Sequence, residues 1–411
     1  MNRAALTPVE EALARVLASV SQPLEIETAA LAESFGRTLG RDVIALRTQP
    51  PFANSAMDGY ALRSADAART PARLRIVGES AAGHGFSGRI GPGEAARIFT
   101  GAPLPEGSDA VVMQEHALRD GDIVILDRAV AAGAHVRGSG LDFVEGETLL
   151  RAGRRLGARD VALAAAANHP TLPVRRRPRV AILSAGDELV LPGAARAPAQ
   201  IVASNAFALA GVIDAAGGAP IDLGVAGDNA ASLAARLGEA TRQRVDVLAT
   251  LGGASVGDHD LMRRALADAG MTLDFWRIAM RPGKPLIHGR LGDMSVLGLP
   301  GNPTSATVCA ILFLRPLLRA LLGDPEAGAD PSEPARLAFP APANGERKDY
   351  QRATLAHNAE GNLIATPIAS PDSSLSKELA RADALLIREV GAPAAAAGDP
   401  CRIIRLAPLG A

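Results

Sequence analysis

Residues 245–260 read Val-Asp-Val-Leu-Ala-Thr-Leu-Gly-Gly-Ala-Ser-Val-Gly-Asp-His-Asp. An apolar, β-branched run over 245–251 gives way at once to glycines and then to acidic residues. That is the signature of a buried strand delivering a loop, and helical spacing resumes over 260–269. The unit recurs on both sides. A strand at 180–183 precedes a helix at 205–216, a strand at 221–223 precedes a helix at 230–242, and strands at 273–279 and 295–299 lead to a long apolar helix at 304–322. Such alternation predicts a doubly wound α/β domain over 178–325.

The remaining chain has a different texture. In 411 residues there is room for several domains. Residues 51–146 alternate short β-rich runs with Gly/Pro turns and read as an inserted β-rich domain. It interrupts a split helical domain, 1–50 and 147–177, whose first helix is announced by the capping box Thr7-Pro8-Val9-Glu10. Beyond a Pro/Gly/Asp-rich linker, short strands over 326–411 predict a C-terminal β barrel. The fold class is therefore multidomain, α/β plus β. Arg175-Arg176-Arg177 reads as a solvated linker.

Composition removes several functions. Lys+Arg total 43 against 44 Asp+Glu, so no bulk field attracts nucleic acid or an anionic membrane. Cys309 and Cys401 form no metal or disulfide pattern, consistent with a reducing, cytoplasmic setting. The longest uncharged stretch, 294–314, is split by Pro300-Gly301-Asn302-Pro303, which no lipid-facing helix carries at its centre.

In an open α/β sheet ligands meet the carboxyl ends of the strands. Four loops there are chemically dense. One carries Gly186-Asp187-Glu188; a second carries Gly252, Gly253 and Ser255 with Asp258 and Asp260; a third is Arg281-Pro282-Gly283-Lys284-Pro285. The fourth, Pro300-Gly301-Asn302-Pro303-Thr304-Ser305, opens a helix whose N-terminus attracts anions. Anion donors beside surplus carboxylates point to a phosphate-bearing or oxyanion substrate bridged by Mg²⁺. Two literal motifs compete. Gly83-His84-Gly85-Phe86-Ser87-Gly88 matches a dinucleotide fingerprint but is not followed by a helix. Gly253-Ala254-Ser255-Val256-Gly257 matches a hydrolase nucleophile elbow, with His288 and His357 as candidate bases, although the acids that follow oppose an oxyanion at that turn.

Ser55-Ala56-Met57-Asp58-Gly59-Tyr60-Ala61, Thr100-Gly101-Ala102-Pro103, Gly186-Asp187-Glu188-Leu189, Gly252-Gly253-x-Ser255-Val256-Gly257-x-x-Asp260, Pro282-Gly283-Lys284-Pro285 and Leu299-Pro300-Gly301-Asn302-Pro303 follow one another in this chain. Their order resembles that of the molybdopterin molybdenumtransferases, the molybdenum insertase family that includes the C-terminal domain of gephyrin. The resemblance implies an elongated homodimer that inserts molybdate into adenylylated molybdopterin, with Mg²⁺-dependent loss of AMP. A molybdopterin adenylyltransferase would act upstream, and molybdoenzymes or their chaperones downstream.

Carried over position by position, the resemblance implies Asp58, Asp142, Glu188, Asp228, Asp260 and Lys284 as catalytic positions. It implies Thr100, Gly252, Gly253, Ser255, Arg281, Pro300 to Pro303, Ser305, Arg352, Ser373 and Ser374 as ligand-binding positions, and Asp187, Glu188 and Asp260 near Mg²⁺. Asp58, Thr100 and Asp142 would complete the pocket of the partner. Ala185 stands where the family usually has Thr, and Arg277 and Arg281 stand where it often has Lys. Besides the hydrolase reading, a non-catalytic gephyrin-like scaffold is the alternative; the intact set of charged positions argues for the enzyme.

Overall fold

The structure, a computed structural model, describes residues 6–252 and 261–407. Helix α1, Val9–Ala18, buries Val9, Ala12 and Val16. Thr7 does not cap it. Pro8 occupies the N-cap without a side-chain bond, while Thr7 bridges to Ile278 and donates its N–H to Arg277 O at 3.0 Å. The expected capping box gives way to a backbone ladder. Beyond α1 the predicted helices are largely strands: β1, Ile26–Ala30, and β2, Val43–Ile44. Ile26 and Thr28 are β-branched, and a partner strand supplied from far along the chain decides their conformation.

The insertion follows. Strands β3 (Gly59–Leu62), β4 (Ala72–Ser80), β5 (Glu94–Ile98), β6 (Ala110–Met113), β7 (Ala117–Asp120) and β8 (Ile123–Leu126) form a six-stranded sheet in the order β6-β3-β5-β4-β8-β7. The chain then returns. β9, Thr148–Leu150, pairs with β2, α2 spans Ala158–Ala166, and β10, Thr171–Arg175, runs antiparallel to β1.

The α/β domain contains β11 (Arg179–Ala185), α3 (Asn205–Ala215), β12 (Ala219–Ala226), α4 (Ala230–Arg242), β13 (Val247–Leu251), α5 (Leu261–Asp268), β14 (Thr272–Arg277), the short β15 (Met280–Arg281), β16 (Pro285–Leu291), β17 (Met294–Leu299) and α6 (Pro303–Leu321). Its six-stranded sheet runs β12-β11-β13-β17-β16-β14. The first four strands are parallel, and β16 runs antiparallel to both neighbours. β16 has no counterpart in the sequence reading, since Pro285, His288 and Gly289 break its apolar run. Helices α4 and α5 cover one face; α3, α6 and α1 cover the other. Within α6, residues Ala310–Leu314 form a π turn. Pro316 lacks the N–H for Leu312 O and crowds that carbonyl, which widens the preceding turn.

The C-terminal region is a closed five-stranded barrel. β18 (Glu333–Leu337), β19 (Lys348–His357), β20 (Leu363–Pro367), β21 (Ala384–Arg388) and β22 (Pro400–Arg405) close in the order β19-β20-β18-β22-β21-β19, with α7, Ser376–Ala380, between β20 and β21. β15 adds to β19 in parallel and so ties the barrel to the sheet.

The Arg175–Arg177 segment is a junction of ion pairs, which corrects its reading as a solvated linker. Arg176 grips Asp246 with two bonds of 2.9 Å and holds Glu25 through Nε, also at 2.9 Å. Those hydrogen bonds, Asp246 first, hold the Arg176 guanidinium above its ordinary pKa. Arg177 binds Asp214 at 2.6 Å and Gly218 O. Arg176→Ala strands Asp246, and we expect it to cost about 2 kcal/mol, less than for a fully buried pair, as measured by urea unfolding.

At the outer edge of the sheet, Arg15 of α1 donates Nε to Asp274 at 3.0 Å, and Asp274 faces Nδ1 of the buried His288 at 2.9 Å. Burial pushes the imidazole below its ordinary 6.5, against the opposing pull of Asp274. The unfolded chain therefore takes up this proton before the folded one does. Stability should fall as pH drops below about 6.5 towards the lower folded value, and His288→Gln should flatten that part of a thermal-melt pH profile.

Candidate active site

Three strand ends meet on one rim. Gly252 has φ +87°, and a Cβ there would lie 2.8 Å from Ala185 O, so only glycine lets the loop after β13 pass the end of β11. Its N–H donates to Leu299 O at 3.2 Å. Asn205, at the start of α3, donates to Gly301 O at 2.6 Å. The ends of β11, β13 and β17 thus frame the crevice at the topological switch point. Gly253, Ser255 and Asp260 lie outside the described residues.

The carboxylates of the rim are ordered by backbone. Asp228 N donates to Asp187 Oδ1 at 2.9 Å, and Asp187 N returns a 3.3 Å bond to Asp228 Oδ2. This reciprocal pair locks the loop after β11 to the loop after β12. The Glu188 carboxylate folds back over Gly186. Among the described residues no group of three His, Cys, Asp or Glu gathers as a metal cage.

Opposite them stand cations with unequal commitments. Arg281 forks onto Asp349, donating Nε to Oδ1 at 3.0 Å and Nη2 to Oδ2. Those hydrogen bonds hold its guanidinium above the ordinary arginine value. Arg277, opposite Pro285 in the β14/β16 ladder, lies 4.3 Å from the Trp276 ring centroid. Trp276 is half-buried and also carries Arg263, 4.7 Å from its ring centroid. Lys284 is half-buried, yet its ammonium has no hydrogen bond or ion pair among the described residues. A half-buried, unpaired ammonium is costly unless something anionic completes it.

The N-terminus of α6 closes this side. Asn302 donates Nδ2 to Ser373 Oγ at 2.9 Å, Thr304 N donates to Ser373 O at 3.0 Å, and Ser305 is buried. Ser374 bonds Asp372 through both N–H and hydroxyl, at 2.9 and 2.8 Å, which holds that carboxyl below its ordinary range. Arg352, 5% exposed, organises the loop. It donates to Ser370 O and Asp372 O at 2.7 Å, to Leu375 O at 3.1 Å and to Thr304 Oγ1 at 3.3 Å. A cavity of about 240 Å³ between this loop, Arg281 and Thr304 opens against the barrel.

Asp58, Thr100 and Asp142 are positioned by their own domain instead. Asp58 Oδ1 accepts Thr100 N at 2.8 Å and Thr100 Oγ1 at 2.7 Å, which lowers its pKa and keeps it ionised at neutral pH. Arg97, unremarked in the sequence reading, fixes this corner: it lies 5.3 Å from the Tyr60 ring and 4.8 Å from Phe99, and binds Gln114 at 2.7 Å. Asp142 is exposed and held by Asp142 N to Gln49 O at 3.0 Å. As for the candidate bases of the hydrolase reading, His288 is committed to Asp274 and His357 stands exposed at the end of β19.

Since Arg352 spends three bonds on the 370–375 loop and a fourth on Thr304, Arg352→Gln should loosen that loop by about 2–3 kcal/mol, seen as faster amide exchange confined to it and to the start of α6.

Family profiles described as MoeA N-terminal region (domain I and II), probable molybdopterin binding domain and MoeA C-terminal region (domain IV) match residues 7–168, 181–320 and 334–406. The chain is 35% identical over 385 residues to molybdopterin molybdenumtransferase 2 of Mycobacterium tuberculosis (strain H37Rv), covering 90% of this chain and 93% of that one. It is 35% identical over 389 residues to molybdopterin molybdenumtransferase of Bacillus subtilis, covering 92% and 89%. The solved molybdopterin biosynthesis moeA protein from Pyrococcus horikoshii OT3 superposes with a TM-score of 0.83 at 27% identity, over 98% of this chain and all of that one. With these matches spanning the split domain, the α/β domain and the barrel, the chain belongs to the molybdopterin molybdenumtransferase family, transferases of molybdenum cofactor biosynthesis.

Proposed function

We propose that the enzyme takes molybdopterin in its adenylylated form and couples Mg²⁺-dependent release of AMP to insertion of molybdate. The observation that carries this reading is Lys284, an ammonium without a protein partner among the described residues, in the turn that enters β16 alongside the end of β17, from which α6 starts. A tetrahedral dianion entering here exchanges its hydration shell for an ammonium, helix N–H groups and hydroxyls. Lys284, Ser305, Ser373 and Ser374 hold the molybdate, with Arg352 setting the loop they depend on. Water splits the phosphoanhydride into AMP and molybdopterin, each keeping one phosphate. The two thiol hydrogens of molybdopterin leave with one molybdate oxygen as water, and molybdenum keeps its oxidation state.

Mg²⁺ fits the acidic side of the rim. Asp187 and Asp228 each keep one oxygen without a hydrogen bond among the described residues, and Mg²⁺ commonly takes one or two carboxylates with substrate phosphates and water. Asp187 and Glu188 would hold it together with Asp260. Bound there, the ion would neutralise charge on the pyrophosphate. Gly252, Gly253 and Ser255, with Pro300 to Pro303, are ligand-binding positions in this reading, and Arg277 adds a second cation.

Asp58, Thr100 and Asp142 act on the crevice of a second copy. Exposed apolar residues lie along the paired segments 46–57, which leads into Asp58, and 140–145, which carries Asp142: Leu46 50%, Phe52 45%, Leu141 66% and Val144 50% exposed. Such a patch beside functional carboxylates favours a homodimer. Upstream adenylylation and downstream acceptor enzymes or chaperones follow from the same chemistry, in a cytoplasmic setting.

Incubation with molybdate, Mg²⁺ and adenylylated molybdopterin should yield AMP and active cofactor, and folded protein that yields neither refutes the proposal. Lys284→Ala should lose about 10²-fold or more in turnover. Mixing Lys284→Ala with Asp58→Asn should restore about a quarter of wild-type activity, because half the dimers are mixed and each has one intact shared site. No recovery would place Asp58 in its own chain's site or outside the chemistry.

A further inference from the structure

We propose that Asp349 is a positioning residue of the active site: it sequesters Arg281 against the barrel, so that the turn presents Lys284 alone to the oxyanion. The inference rests on the reading of Lys284 as the molybdate contact. Asp349 is a carboxylate on β19, 4% exposed, while the Arg281 side chain remains 51% exposed. Both of its oxygens are engaged, by Arg281 Nε and Nη2 and by Gln351 Nε2 at 2.8 Å. Backbone pairing alone already joins these segments, since Met280 and Arg281 lie beside Lys348 and Asp349, and Lys348 N donates to Ala279 O at 2.9 Å. The buried acid is therefore not required to bring the strands together. What it adds is control of one side chain.

That control matters because only two stiff residues separate Arg281 from Lys284. Pro282 has a fixed φ. Gly283 has φ +106°, and a Cβ on it would come within 2.6 Å of Cys309 Sγ, so it is seated hard on α6. An anchor at Arg281 is thus transmitted to Lys284. Freed from Asp349, the Arg281 guanidinium could reach into the crevice with a planar fork that grips an oxyanion bidentately. A substrate that must be passed on is better met by the compact ammonium. Asp349 keeps the fork occupied.

The test uses Asp349→Asn, Arg281→Ala and the double variant, each checked by circular dichroism. Lys284 acylation by an N-hydroxysuccinimide ester, read by peptide mass spectrometry against Lys377, follows the turn independently of activity. In Asp349→Asn the Lys284/Lys377 labelling ratio should change severalfold, and KM for molybdate should shift about tenfold with a smaller change in kcat, a normal coupling within one network. In the Arg281→Ala background the same substitution should have no further effect. Unchanged labelling and KM in folded Asp349→Asn overturn the proposal, as does an effect that persists undiminished without Arg281. Should Asp349→Asn fail to fold, Arg281→Gln cuts the same tie from its exposed end and must alter Lys284 labelling. A wild type with no molybdate-dependent AMP release would sink the functional reading, while the labelling would still decide the role of Asp349.

Discussion

Helix α6 is apolar around most of its circumference, with Arg315 and Arg319 its only charged residues, and that single fact constrains the rest of the molecule. It runs from Pro303 to Leu321, long and apolar enough to cross a membrane, yet 83% of its most apolar window is buried inside the fold. An amphipathic helix can leave a whole face in water; this one can leave only the stripe of its two arginines. The sheet and α3 cover part of it. The remainder is covered by Val9, Ala12 and Val16 from the start of the chain and by Tyr350, Leu385, Ile404 and Leu406 from the barrel, all in one continuous core. Burying α6 thereby draws both ends of the sequence around the helix whose N-terminus faces the crevice.

Electrostatics divides the labour among cations. Arginines perform structural ties: Arg176 at the domain junction, Arg352 within the 370–375 loop, Arg281 on Asp349, Arg97 between two rings. Planar forks suit fixed carbonyls and carboxylates. Of the three lysines in the chain, Lys348 is paired with Glu10 and Glu389, whereas Lys284 is left without a protein partner among the described residues. The site is recognised less by where charge is concentrated than by where it is left uncompensated.

This distinction explains what the sequence could and could not disclose. Strand-then-glycine loops at 186, 252 and 301 were legible, because a local pattern dictates both the strand and the sharp exit from it. The barrel and the inserted sheet were legible from turn spacing. The allegiance of α1 was not, since its partners lie in β14 and α6. The strands at 26–30 and 171–175 could be known only as a pair. Arg175, Arg176 and Arg177 looked like a charge run, because their acceptors Asp246, Asp214 and Leu24 are remote or backbone. Arg281 and Arg352 carried the right charge for an anion, but sequence does not tell a free guanidinium from a spent one.

The distance between α1 and its partners has a consequence for synthesis. Arg15 and Asp274 are separated by 259 positions, so the first helix leaves the ribosome long before the edge it docks against exists. At typical translation rates that interval is roughly 13–50 s. Through it, the apolar stripe of α1 has no permanent cover, while the inserted sheet can complete its own core. The arm is therefore finished first, and the catalytic body is sealed last by a segment made at the beginning.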